Sequence, residues 1–190
     1  MTEQELIKGL REGDHHAFKK LVETKQSLVF NTVLGLLQNN EDAEDVTQDV
    51  FIKVFESIHQ FKGESALSTW IYRVGVTTAL EFIRRKKRKK RFGFLSPILG
   101  DDNEPTLELS DFHHPGIELD NKEKAAILFK AIQQLPENHK VAFILNKVEG
   151  LSYQEVAEIM KTSLSAVESL LHRAKTNLKE ILKNFNNLTQ

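Results

Sequence analysis

Asp42, Asp45 and Asp49 recur at spacings of three and four within EDAEDVTQDVFIKVFESIHQF (41–61). On a helix they share one stripe, within about 60° of each other. Val50, Phe51, Val54, Phe55 and Ile58 gather on the opposite side. Carboxylates placed this way have two straightforward uses. They complement the positive end of a helix at roughly 0.3–1 kcal/mol each, or they offer an anionic face to a basic partner. Acid–base catalysis would need a histidine, a metal-ligand set or a nucleophile beside them, and none keeps them company. A second feature is RRKKRKKR (84–91), eight consecutive cations. The helix dipole accounts for two or three cations at a C-terminus. A run of eight wants a polyanion, whose phosphates it neutralises without regard to sequence. His113, His114 and Asp111 lack the HxxxH or ExxH spacing of a helical metal site. With no cysteine in the chain, disulfides, thiolate metal sites and cysteine nucleophiles are excluded. No catalytic or metal constellation emerges, and no cofactor is expected.

These residues need elements to hold them. Leu6, Ile7 and Leu10, then Ala17, Phe18, Leu21 and Val22, recur at helical spacing and predict one or two helices. A further helix is expected from about Gln26 to Leu37, broken by Asn39 and Asn40. The carboxylate helix follows. Lys62-Gly63-Glu64-Ser65 is a short polar break. The next helix places Trp70, Ile71, Val74, Ala79, Leu80 and Ile83 inward, leaves Tyr72, Arg73, Thr77 and Arg84 elsewhere, and ends in the cationic run. A lone Trp is usually core, although beside a cationic helix it also suits stacking on an unpaired base.

Towards the C-terminus, KAAILFKAIQQLP (124–136) predicts a helix stopped near Pro136, and ENHKVAFILNKVEG (137–150) a second with Gly150 as its cap. Ser152 and Glu155 have capping-box spacing at the start of LSYQEVAEIM. KTS (161–163) forms a turn, and a last helix runs from about Ser165 to Leu182. Val156, Ala157 and Ile159 face the core, as does the stripe Val167, Leu170, Leu171, Ala174, Leu178, Ile181 and Leu182. Ser165, Glu168, Ser169, His172, Thr176 and Lys179 lie opposite, flanked by Arg173 and Lys175. The unit has helix-turn-helix dimensions. It reads as an ordinary helical hairpin or as a module whose second helix approaches base edges.

The 190 residues are 40% apolar and 28% charged, enough for one domain or two small ones. Scarce Gly and Pro favour helices. No apolar run approaches the roughly 20 residues that span a bilayer, and MTEQELIKGLREGD is too polar for a secretory signal. A cytoplasmic protein without membrane insertion is expected. The net charge of −1 is segregated: residues 1–91 carry +3, residues 92–123 carry −7 and residues 124–190 carry +3. The acidic stretch also holds Pro97, Pro105 and Pro115. It predicts a flexible linker between two domains.

In order along the chain, DAEDVTQDVFIKVF (42–55), FKGESALSTWIYRVGVTTALEFIRR (61–85) and LPENHKVAFILNKVEGLSYQEVAEIMKTSLSAVESLLHRAKTNL (135–178) resemble an extracytoplasmic-function (ECF) sigma factor of the sigma-70 family. The resemblance implies an all-α fold of two small helical domains. Region 2 (1–91) is a helical bundle. Region 4 (124–190) is a helix-turn-helix, and a flexible acidic linker (92–123) joins the two. It implies a non-enzymatic factor that binds core RNA polymerase and promoter DNA, and it admits an anti-sigma factor as a further partner.

By the same resemblance, Asp42, Asp45, Gln48 and Asp49 face the polymerase clamp. Lys62, Gly63, Glu64 and Ser65 receive a flipped −10 base, supported by Trp70 and Tyr72. Arg73, Arg84 and Arg85 contact strand or phosphate. Ser165, Glu168, Ser169, His172 and Arg173, with Lys175 alongside, present to the −35 major groove. Family members often carry Asn at the position of Thr77, on the −10-facing helix, and Arg at that of Leu170. Thr77 keeps a hydroxyl but loses the amide's bidentate option. Two other readings stand beside this one. A helix-turn-helix dimer acting without polymerase leaves the carboxylate stripe unexplained, and a helical enzyme lacks a catalytic constellation.

Overall fold

A computed structural model of the chain describes residues 1–93 and 122–188. The proline-bearing acidic linker, with His113, His114 and Asp111, lies almost wholly outside the described residues. Among those described, all regular structure is helical: α1 (Glu3–Arg11), α2 (His15–Leu37), α3 (Asn40–Ser57), α4 (Leu67–Gly93), α5 (Lys122–Gln133), α6 (Glu137–Phe143), α7 (Tyr153–Met160) and α8 (Leu164–Leu188). A 3-10 turn at Ile58–Gln60 closes α3, and a wide π-type turn at Ile144–Val148 continues α6.

Local signals place the helix ends. Thr2 and Ser152 each form a reciprocal capping box, with Glu5 and Glu155 respectively. Asp14 accepts from the His16 N–H, and Asn39 from the Asp42 N–H, both at 2.8 Å. Gly150 adopts φ +73° after the π-type turn, in the role its sequence position predicts. Two sequence expectations are corrected. Residues 15–37 form one continuous helix, because Glu23-Thr24-Lys25-Gln26 holds no breaker and the Thr24 hydroxyl bonds back to the Lys20 carbonyl (2.8 Å). Residues 137–150 do not form one plain α-helix, since the Glu149 N–H reaches the Ile144 carbonyl five residues back (3.0 Å).

The first four helices pack as a bundle, with α2 against α1, α3 and α4 and with α3 on α4. Val29, Val33, Val50, Val54, Ile58, Leu67 and Ile71 lie at its centre, each 1% exposed or less. In the second unit α8 packs on α5, α6 and α7 around Ile132, Ile144, Leu145, Val156 and Leu171. The two units touch along a seam where α7 lies on α4 and the π-type turn lies on α2. Arg73 Nη2 donates to the Glu158 carbonyl (2.6 Å) and Gln38 Nε2 to the Phe129 carbonyl (2.8 Å). Gln133 Nε2 donates to the Leu36 carbonyl (3.0 Å), and Arg84 pairs with Glu137.

Candidate nucleic-acid interface

Three surfaces carry the residues singled out from sequence. The first is the outer face of α3. Asp45, Gln48 and Asp49 are exposed, while Asp42 is half-buried. Asp42 Oδ2 accepts from Lys86 Nζ at 2.6 Å, so the cationic run on α4 partly neutralises it. Asp45 and Asp49 have no ion pair among the described residues. Helical spacing places Ile52 between Gln48 and Asp45 on this face, and it is 53% exposed. Sequence reasoning missed Ile52, although an isoleucine out of register with the buried stripe was the signal.

The second surface is the loop before α4 together with the outer line of that helix. Phe61 is buried, Lys62, Gly63 and Glu64 are exposed, and Ser65 is half-buried. Gly63 takes φ +76°, a left-handed conformation that suits glycine. The rings of Phe61 and Trp70 lie 5.5 Å apart, tilted by 50°, so Trp70 braces the start of the loop while keeping one side outward. Trp70, Arg73, Thr77 and Arg84 fall on one line of α4 that faces away from the bundle core, where Glu158 and Glu137 of the second unit hold Arg73 and Arg84. Thr77 and Arg85 are exposed, the latter with its guanidinium 5.4 Å from the centre of the Phe82 ring.

Tyr72 is not on that line. It is 8% exposed on the inner side of α4, where the second unit covers it. Tyr72 lies four residues before Val76 and seven before Ala79, within the buried stripe of α4, so helical spacing carried the signal and the sequence reading missed it. Burial and the nearby Glu149 and Glu155 carboxylates push its phenol up to about 12. Glu149 is itself half-buried, and burial pushes its carboxyl up to about 7. On α6, burial first and the Lys87 cation second bring Lys140 down to about 8, and its ammonium donates to Gln133 Oε1 (2.6 Å).

The third surface is the start of α8. Lys161 closes α7 at φ +52°, and Ser163 Oγ accepts from the Ala166 N–H (3.2 Å), so the KTS turn redirects the chain as expected. Ser165, Glu168, Ser169, His172, Arg173 and Lys175 are all exposed. Val167, Leu171 and Ala174 beneath them are 1% exposed or less, and Leu170 packs half-buried on the core. Small polar side chains at the N-terminal end of a second helix, rigidly backed, can meet base edges in a major groove. His172 and Lys175 also border a groove of about 330 Å³ floored by Leu128, Leu178 and Leu182.

Taken together, a helical bundle with an acidic outer face, a loop feeding a cationic helix and a capped helix-turn-helix define a two-part transcription factor. Residues 21–89 match the family Sigma-70 region 2 and residues 125–178 match Sigma-70, region 4. The chain belongs to the sigma-70 family of RNA polymerase sigma factors. It is 38% identical over 181 residues to the ECF RNA polymerase sigma-E factor of Haemophilus influenzae, covering 92% of each chain. To the ECF RNA polymerase sigma-E factor of Escherichia coli K12 it is 32% identical over 175 residues, covering 92% of this chain and 91% of the relative. Its fold is similar to that of CnrH solved with the cytosolic domain of CnrY (TM-score 0.67, 18% identity, 96% and 97% covered). It is also similar to the sigma factor RpoE of Bartonella quintana solved with the anti-sigma factor NepR (TM-score 0.64, 22% identity, 87% and 96% covered).

Proposed function

We propose that this sigma factor acts without catalysis, in the cytoplasm, by dividing promoter reading between two modules, residues 1–91 and 124–190, joined by the acidic linker 92–123. The first module docks on core RNA polymerase through Asp42, Asp45, Gln48 and Asp49 and captures the −10 strand. The second reads the −35 duplex. The observation that supports this reading is the exposure, on three separate elements, of Asp45, Gln48 and Asp49, of Lys62, Gly63 and Glu64, and of Ser165, Glu168, Ser169, His172 and Arg173. Extruding a base costs a few kcal/mol, which a pocket in the 61–65 loop offsets by stacking and hydrogen bonding. Duplex readout by Ser165, Glu168, Ser169, His172 and Arg173 contributes about 1–3 kcal/mol per good base contact. Tethering raises the effective concentration of the second module once the first is engaged.

The seam adds a condition. Arg73 and Arg84, assigned to the −10 strand, are held by the Glu158 carbonyl and by Glu137. Tyr72 lies beneath the same seam. Use of these residues on DNA therefore requires the second module to leave α4, so packing of the free chain competes with promoter capture. An anti-sigma factor, the partner seen with the structurally similar RpoE of Bartonella quintana, fits this reading as an agent acting on the same equilibrium.

The test is runoff transcription with core polymerase and the full chain. Asp45→Lys combined with Asp49→Lys should abolish core-dependent transcription while leaving the fold intact. Full activity of that double variant would overturn the docking assignment.

A further inference from the structure

Beside the Lys62–Ser65 loop lies a cavity of about 460 Å³ that the loop does not form alone. Gln4, Ile7, Lys8 and Arg11 of α1, with Glu12 that caps its C-terminus, make one wall, and Phe61, Lys62 and Gly63 make the other. Its size falls within the roughly 300–1,000 Å³ typical of small-molecule pockets. Fifty residues separate the two walls in sequence, yet one bond ties them: Arg11 Nη2 donates to the Phe61 carbonyl at 2.6 Å. The Phe61 N–H is held in turn by the Ile58 carbonyl (3.1 Å), and its ring is held by Trp70. At the far end of the loop, the Ala66 carbonyl accepts from the Trp70 N–H (3.2 Å). Between those two anchors the loop turns through Gly63 at φ +76°.

We infer that α1 is the fixed wall of the strand-capture pocket, and that Arg11 is a positioning residue which sets the loop through the Phe61 carbonyl. The inference rests on the loop's proposed role and extends it to a helix outside the residues that match the region 2 family. The occupant is an unpaired nucleotide of the −10 strand. Ile7 and the edge of Phe61 offer apolar surface to a base. Lys8 and Lys62 supply cations at the rim for its phosphate, with Glu12 tied to Lys8 (3.9 Å). Arg11 acts through the main chain of the loop, so its effect falls on recognition of the extruded base and not on the −35 duplex.

The experiment uses the full chain with core polymerase and single-stranded −10 oligonucleotides, intact or abasic at each position in turn. Wild type should bind less tightly when one particular base is removed. Arg11→Ala should bind the intact strand about three- to tenfold more weakly, the worth of one hydrogen bond, and should no longer distinguish intact from abasic at that position. Arg11→Lys should recover part of the difference. Unchanged affinity of Arg11→Ala for core polymerase, which the same module binds, and an unchanged urea midpoint show that the variant is folded. An abasic penalty in Arg11→Ala equal to that of wild type overturns the positioning role while leaving loop capture standing. A wild type indifferent to every abasic substitution overturns loop capture itself and, with it, this inference.

Discussion

Gly63 stands at φ +76° with open space around the position of a Cβ, so substituting it tests conformation without a clash. Gly63→Ala should lower stability by about 1 kcal/mol, the cost of a left-handed conformation for an L-residue, as read by urea unfolding, or else shift the loop and weaken −10 strand binding. Ile52 is the complementary case on α3. An apolar side chain 53% exposed among carboxylates adds little to the folded chain alone. Ile52→Ala should leave stability within about 0.5 kcal/mol and weaken polymerase affinity by about 1–2 kcal/mol in a competition assay, from apolar area left unburied on docking. At this scale the sequence was partly legible. The exposed rows Asp45–Asp49 and Ser165–Arg173 follow from helical spacing. Asp42 and Arg73 do not, because the partners that engage them, Lys86 and Glu158, lie 44 and 85 residues away.

Element boundaries were legible at Asn39 and Ser152, where a side chain caps the helix, but not at Thr2 and Asp14, whose caps were missed. Ser152 and Glu155 are the clearest case, and the cap fixes the angle at which α7 leads into the turn before α8. Ser152→Ala should cost about 0.5–2 kcal/mol, seen as a lower urea midpoint. It should weaken −35 duplex binding more than −10 strand binding, since both helices of the reading unit depend on that start. The continuous α2 was missed because a polar stretch of good helix formers resembles a break when only apolar periodicity is followed. The π-type turn at Ile144–Val148 was missed for a different reason. It is one extra residue per turn, which burial of Ile144, Leu145 and Val148 sustains, and apolar spacing in a short helix does not reveal it.

For the whole molecule, the half-buried Glu149 near Tyr72 and Glu155 makes stability depend on pH. Its folded pKa of about 7 is above the ordinary 4.5, so the folded chain binds that proton more tightly than the unfolded one. The contribution is therefore fully present below about 4.5 and is lost as pH rises through about 7. The loss is on the order of 1–3 kcal/mol. Glu149→Gln should remove the slope, and melting curves of the two proteins at pH 5 and pH 8 should converge at the lower pH and diverge at the higher, with the variant more stable. The all-α architecture and its two-part division were legible from periodicity and charge segregation. The contact between the parts was not, because it depends on which side of α4 meets α7. Three of the polar ties across that contact, from Gln38, Arg73 and Gln133, end on main-chain oxygens of Phe129, Glu158 and Leu36. A peptide oxygen stays in place whatever side chain the residue carries. Mutational drift on the accepting side thus leaves the join intact, and a chimaera grafting a relative's second half onto this first half should inherit two of these three grips, those of Gln38 and Arg73, without matched side chains.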